Sequence, residues 1–381
     1  MSLTLRLGSR EARPTTEFPA AAFEGHGREL PALAEGYLVT TPAPRDAWDE
    51  IAAQDPDALV TQTPAWTDCV CGVSGMRDVS RLYDFGGGRR LVLPLVRAGG
   101  RPARAAREAS LGPAWGFGGL LGERPRVEEV GSVLADLRTQ PALQVRVRPN
   151  PLHHATWSAA RPQGIVRLER RAHAIDLRDG FDEVWKRRFS SRARNHVRRA
   201  VRAGVRVQLD TRGEHVAIFH QLFMRSVERW AQRSHEPLRL ARWRAARRDP
   251  EQKLHRLLSD LGDQSRLWVA WVGQRPAAAI LVLQGANAHY TRGAMDVEVA
   301  GPARANYLLH REAIEDACRA GCSTYHMGET GSSGSLAQFK EAVGAQAHPY
   351  AEYVAERLPL TRIDRGVRAA VKRAVGFRDD G

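Results

Sequence analysis

The chain has 381 residues, 43% of them hydrophobic, and a formal net charge of +14 from 57 Lys and Arg against 43 Asp and Glu. That length and apolar content suit two packed domains and exclude a wholly disordered chain. The longest apolar runs fall far short of a membrane span, so an integral membrane protein is excluded too. The charge is a statement about partners: nucleic acid, phosphorylated substrates or an anionic surface, set against a chain-wide preference for arginine. Cys69, Cys71, Cys318 and Cys322 form no CxxC pair and have no histidine cluster beside them, so they read as reduced thiols with no metal site. No signal-peptide core is visible, and a cytoplasmic protein is expected.

Residues 1–36 are polar, Gly/Pro-containing and aperiodic, and read as a loose arm. AWDEIAAQ (47–54) has helical spacing, and Pro64 is placed to start a second helix. DVSRLYDF (78–85) and RRLVLPLV (89–96), joined through GGG, predict a hairpin. SLGPAWGFGGLLG (110–122) predicts a Gly-rich loop with a short strand; 126–140 an amphipathic helix; 143–151 a strand that stops at prolines. IVRLER (165–170) and HAIDL (173–177) predict two further short strands.

In the second half, Trp185, Phe189, Ala193, Val197 and Ala200 make an apolar stripe that predicts one helix over 182–203, ended by Gly204. Its other face holds Lys186, Arg188, Arg192, Arg194, Arg198, Arg199 and Arg202, and 185–207 contains no carboxylate. Like charges four residues apart cost stability unless an anion compensates them, whereas a solvated face would need no ligand. A strand (205–209), helices over 214–233 and 250–262, three strands (266–272, 277–284, 288–294), a helix (305–321), a strand (323–327), a helix (335–344) and a last strand (349–356) follow. RIDRGVRAAVKRAVGFR (362–378) predicts a basic amphipathic helix, suited to a membrane surface or RNA, or else packed on the body.

That order resembles a GNAT acyltransferase domain, and the first half shows a blurred version of it. QTPAW (62–66), SLGPAWGFGG (110–119), RVRPNP (146–151), RRFSSRARNHVRRAVRAGVRV (187–207), YLLHREAIEDACRAGCSTYHMG (307–328) and SLAQFKEAVGA (335–345) together resemble the Fem family of aminoacyl-tRNA-dependent peptidyltransferases and their FemAB-like relatives. The resemblance implies an α/β fold with mixed sheets in two tandem GNAT-like domains, 37–172 and 173–358, with the basic helix at the start of the second and a basic helix or tail over 359–381.

It also implies amide formation from an activated acyl group and an amine, without a cofactor. The donor would be aminoacyl-tRNA and the acceptor a small-molecule or peptide amine, such as a peptidoglycan precursor or a specialised metabolite. An acyl-CoA-dependent N-acyltransferase is the alternative, and a non-catalytic RNA- or membrane-binding protein a second one; a monomer is expected. The Phe-Lys pair of the family matches Phe339-Lys340, which assigns Lys340 to the developing oxyanion. Leu336, Phe339 and Val343 set the buried face of that helix, so Lys340 is expected at a cleft edge; spacing alone favours a solvated lysine, and the family match is what favours the catalytic role. Family basic residues used towards phosphate match the 187–202 segment, and Arg304 joins them. MDVEVAGPARANY (295–307) lacks the glycines of a pyrophosphate loop, which tilts the reading away from coenzyme A. Tyr290 and Arg292, two apart on one strand, are expected on one face towards substrate. Trp66, Tyr325 and Asn306 are further substrate-side candidates, with core packing open for Trp66. Glu329 and Asp296 are the carboxylates placed to accept the amine proton.

Overall fold

The computed structural model describes residues 36–100, 102–110, 115–160, 162–331 and 333–374. The arm expected over 1–36 lies almost wholly outside them, as do 111–114 of the Gly-rich segment and 375–381 of the tail.

The first half contains β1 (Leu38–Thr40), α1 (Arg45–Gln54), α2 (Pro64–Ser74), β2 (Met76–Asp78), β3 (Arg81–Asp84), β4 (Arg90–Leu93), β5 (Val96–Ala98), β6 (Arg107–Ala109), α3 (Val127–Thr139), β7 (Gln144–Val147), α4 (His154–Ala159) and β8 (Ile165–Asp176). Pro64 opens α2 as expected, with Thr63 accepting the Trp66 N–H at the cap. The predicted hairpin forms as β3–β4. The two short strands expected around residue 170 are a single one, β8, so the boundary expected at 172/173 falls inside it.

The second half contains α5 (Gly180–Glu183), α6 (Ser191–Arg202), β9 (Val205–Asp210), α7 (Val216–Arg233), α8 (Leu238–Arg248), α9 (Glu251–Leu261), β10 (Ser265–Val272), β11 (Arg275–Gln284), β12 (Ala288–Met295), α10 (Val297–Ala303), α11 (Ala305–Arg319), β13 (Thr324–Glu329), α12 (Gly334–Ala342), β14 (Gln346–Glu356) and α13 (Leu360–Ala374). The helix predicted over 182–203 is broken. A wide turn over Val184–Arg188 ends in extended Phe189 and Ser190, and α6 starts afresh with Ser190 accepting the Ala193 N–H. Gly204, with φ +69, ends it as expected. Helices α8 and α10 were not anticipated. Every third or fourth residue of α8 is Ala or Leu among five arginines and one tryptophan, which blurs its apolar stripe.

Eleven strands form one sheet in the order β2-β5-β6-β7-β14-β8-β13-β12-β11-β10-β9; β1, β3 and β4 form a small second sheet. At the centre, the antiparallel pair β8 and β14 runs from Ala174 opposite Gln346 to Ile165 opposite Ala355. Each half thus ends by giving a strand to the other: β8 lies against β13, and β14 against β7. Outward from this pair both halves repeat one pattern, an antiparallel neighbour followed by a parallel pair: β7 with β6, and β13 with β12. One core lies between the sheet and α6 and α11, including Ile175, Val197, Ile280, Leu309 and Tyr325. A second packs α7 and α9 on the other face and takes Trp66 of α2 and Trp115 into it. A third joins α3 and α4 to β7 and β14.

Candidate active site

The parallel contact of β12 with β13 is confined to Ala288–Tyr325 and His289–His326, after which the two strands part. A bulge helps to part them. Arg292 stands opposite Leu281 but Tyr290 stands opposite Val282, so Thr291 is the extra residue. The bulge overturns the expectation that Tyr290 and Arg292 share a face. Tyr290 packs with the α6/α11 core. Arg292 lies on the other side, its guanidinium 4.1 Å from the Trp115 ring and 3.2 Å from Asp249.

A row of rings runs along the α11 side of the point where this ladder stops. Tyr290 meets His310 edge-on at 4.9 Å, His310 meets Phe339 at 5.2 Å, Phe339 meets Tyr307 at 5.1 Å, and Tyr307 meets His196 of α6 at 4.7 Å. Burial and then the charges of Arg304, Arg192 and Arg199 lower the His196 pKa, which locates those three cations at the outer end of the row. Burial, and then Lys340, pushes His310 down to about 3, so it is a neutral ring at the inner end. Tyr307 and His310 were missed by sequence reasoning. Their i, i+3 spacing on α11 was the available signal.

Lys340 is not at a cleft edge. It is 2% exposed. Its ammonium donates to the carbonyls of Gly328 (3.1 Å) and Glu329 (2.8 Å) and to Thr330 Oγ1 (3.1 Å), so all three N–H groups are used where β13 ends. Burial lowers its pKa to about 7, against a smaller opposing effect of Glu329. Helix α12 is short and lies against β8 and β14, so even its polar i+1 neighbour of Phe339 is enclosed. Thr330 Oγ1 is also 2.6 Å from His173 Nδ1, and His173 Nε2 is 3.5 Å from Glu341. Thr330 Oγ1 thus joins Lys340 to His173, whose other ring nitrogen faces the Glu341 carboxylate. Burial and then Lys340 take His173 down to about 4. Thr330 and His173 were also missed; nothing in the sequence separates them from surface polar residues.

The carboxylates expected as bases are otherwise engaged. Glu329 points to the opposite face of β13. There it accepts from the Tyr350 hydroxyl and lies 3.8 Å from both Arg148 and Arg170. Burial would raise its pKa, but Arg148, Arg170 and Tyr350 outweigh burial and hold it below the ordinary range, which makes it a poor base. Glu352 joins the same cluster, bonded to Arg146, Arg148 and Arg170. Asp296 caps α10 through the Glu298 N–H and pairs with Arg225. It lies six residues along the chain from Tyr290, about 20 Å at strand spacing. Trp66 and Tyr325, 2% and 0% exposed, are core residues rather than substrate contacts. Asn306 is half-buried in the first turn of α11.

The basic segment divides. Lys186 and Arg187 pair with Asp182 and Glu183, and Arg188 with Asp176 and Asp179, carboxylates lying just before the stretch that looked unopposed. Arg194 donates to the carbonyls of Trp185, Lys186 and Phe189 and so closes the wide turn. Arg198 bonds Asn195. Arg192, Arg199 and Arg202 are exposed, and among the described residues they have no acidic partner. Arg304, left-handed at φ +58, joins α10 to α11, and its buried Nε has no hydrogen-bond partner among the described residues. An open groove of about 760 Å³ lies beside this face, with Trp185, Arg198, Arg202 and Leu308 in its walls. Among the described residues, no group of three or more His, Cys, Asp or Glu is placed to hold a metal ion.

Residues 185–341 match the family of GNAT acetyltransferase domains. The whole fold is similar to that of FemX. It superposes on the crystal structure of FemX with a TM-score of 0.53 at 14% identity, covering 86% of this chain and 99% of that one. Two further solved structures align with it. A tandem GNAT protein from the clavulanic acid biosynthesis pathway covers 84% of this chain and 98% of its own at 16% identity and TM-score 0.45. L-PGS from Bacillus licheniformis covers 85% and 99% at 13% identity and TM-score 0.44. Curated protein sequences give no match. The chain therefore shares the fold of FemX, and residues 185–341 carry the match to the GNAT acetyltransferase family.

Proposed function

We propose that the chain transfers an aminoacyl group from aminoacyl-tRNA to an amine. The observation that carries this reading is the donor side of the site. Where a coenzyme-A-using domain presents glycine amides to a pyrophosphate, this chain has helix α10 with Pro302 inside it and Arg304 at its end. Its anion-binding capacity lies instead in separate side chains, Arg192, Arg199, Arg202 and Arg304, spread across a surface. Spaced cations suit spaced phosphates. The ring row from His196 to Tyr290 leads from that surface to the parted strands, so a donor phosphate outside and an acyl group inside would be connected.

In this reading the neutral amine attacks the acyl carbonyl between β12 and β13, the ester bond to the tRNA ribose breaks, and the amine proton leaves with the ribose oxygen as its hydroxyl, while Lys340 supplies positive charge near the oxyanion, through its own ammonium and by holding the Gly328–Thr330 backbone in place. The test is incubation of purified protein with a charged tRNA pool and candidate amines. Product that is lost on RNase treatment of the donor supports the proposal; product made from acyl-CoA alone overturns it in favour of an acyl-CoA-dependent N-acyltransferase. That second reading is favoured by the family matched over 185–341 and by the open groove beside Trp185.

A further inference from the structure

The transferase reading leaves α13 unused. This helix touches the body along one side only: Thr361 bonds Glu356 and Gln144, and Asp364 bonds Arg107. Leu360, Ile363, Val367 and Val371 recur at i, i+3, i+7 and i+11, which places them in one line beside that contact side. Among the described residues the middle of the line is not covered, while Leu360 and Val371 at its ends are half-buried. Ile363 is 52% exposed and Val367 45%, and Leu358, in the turn just before, is 53% exposed. Arg362, Arg365 and Arg373 fall on the side away from the stripe and are exposed. Asp364 is the sole acid in the helix, and its charge is already met by Arg107.

We propose that α13 docks this protein on an anionic lipid surface, lying in the plane of the membrane interface with its apolar line inward. Charge and apolar exposure together select this occupant. A helix with an apolar line and a cationic polar face partitions into the headgroup region of anionic bilayers. A second copy of the chain would bring two cationic helices together, which self-repulsion opposes. RNA would engage the arginines and leave the Ile363–Val367 line in water. Among the described residues no helix is long and apolar enough to cross a membrane, so the contact is peripheral. At 1.5 Å per residue the fifteen residues of α13 span about 22 Å, enough for one continuous surface contact.

The experiment is cosedimentation of the full chain with phosphatidylcholine vesicles, with and without phosphatidylglycerol. Expected is a partition at least about tenfold higher onto the anionic vesicles, weakened by salt. Ile363→Asn with Val367→Asn should abolish it with an unchanged melting temperature, because both side chains are exposed. Arg362→Gln with Arg365→Gln and Arg373→Gln should remove the preference for anionic vesicles and keep weak binding to both. Equal binding by the Asn variant and the parent overturns the proposal. So does a parent that is dimeric and becomes monomeric in that variant, or a helix that retains RNA but not vesicles. Transfer activity on soluble substrates is read in parallel; its presence or absence leaves the vesicle result to stand alone.

Discussion

The two halves share a strand pattern and differ in what occupies the gap beyond their parallel pair. In the second half, the β12–β13 ladder stops after two residue pairs, and Tyr290, His310 and Phe339 pack in a row of rings beside it. In the first half, β6 and β7 run together over Arg107–Ala109, and the chain then fills its own gap. Gly118 donates to the Arg148 carbonyl and bridges Pro149, and Leu121 bridges Val92. A Cβ at Gly119, where φ is +84, would come within 2.7 Å of Pro149 Cα. The glycines are what allow the segment to lie this close. The same strand pattern therefore appears once with the chain folded over its parallel pair and once with a short parallel pair that, among the described residues, has the ring row and a buried lysine beside it.

The sharpest way to break this comparison is Lys340→Ala. Transfer should fall by about 10²–10³ in kcat, the size of a lost oxyanion partner. Burial adds a second effect, contrary to a cleft-edge lysine: two carbonyls and Thr330 lose their donor, costing about 2–4 kcal/mol in folding stability. Stopped-flow transfer and thermal melts read the two effects separately. Full activity in this variant would remove the lysine from the mechanism. In the plugged half, Gly119→Val should cost a comparable 2–4 kcal/mol through strain and overlap, roughly as an overpacked core site does, while the surviving folded enzyme keeps its KM. A changed KM at unchanged stability would mean that the first gap also receives substrate.

Salt and pH sharpen it further. Arg192→Ala with Arg199→Ala and Arg202→Ala should reduce the salt slope of tRNA affinity by about three, one per phosphate contact, whereas Arg194→Ala should act on stability alone because that side chain closes a turn. An unchanged slope in the triple variant would place tRNA elsewhere. Lys340 is held at about 7, so its charge is present below that pH and lost above it. A step that needs the ammonium should weaken as pH rises through about 7. Thr330→Val, which takes away one acceptor of the ammonium, should move that limb to lower pH, and Lys340→Arg should erase it at a low overall rate. The smallest effect expected is at Trp66→Phe, which stays apolar in the core and should change kcat by less than about twofold at a cost near 1–2 kcal/mol; a large KM effect would return Trp66 to the substrate.

Much of this architecture can be read along the chain because it depends on local pattern. Pro64, Gly204, the β3–β4 hairpin and, apart from α8 and α10, the helix–strand order after residue 204 follow from spacing and caps. What could not be read depends on contacts between distant segments. The Thr291 bulge reverses which face Arg292 joins, and alternation alone cannot show an inserted residue. The acids that neutralise Lys186, Arg187 and Arg188 lie just upstream of the cationic run, so a window starting at Trp185 misses them. The burial of Lys340 depends on β8 and β14 closing over α12, and those strands are paired across about 180 residues of sequence.

That pairing has a consequence for biosynthesis. Strand β14 separates β7 from β8, so the first half cannot complete its sheet until residues 346–356 have emerged from the ribosome. A nascent chain cut off at residue 330 would expose the long edges of β7 and β8 with no partner between them, the kind of bare edge that recruits other chains. The same exchange means that neither half can be expressed as an autonomous unit by cutting at residue 172, and it ties the late step of folding to the strand that also carries Tyr350, the hydroxyl that holds Glu329.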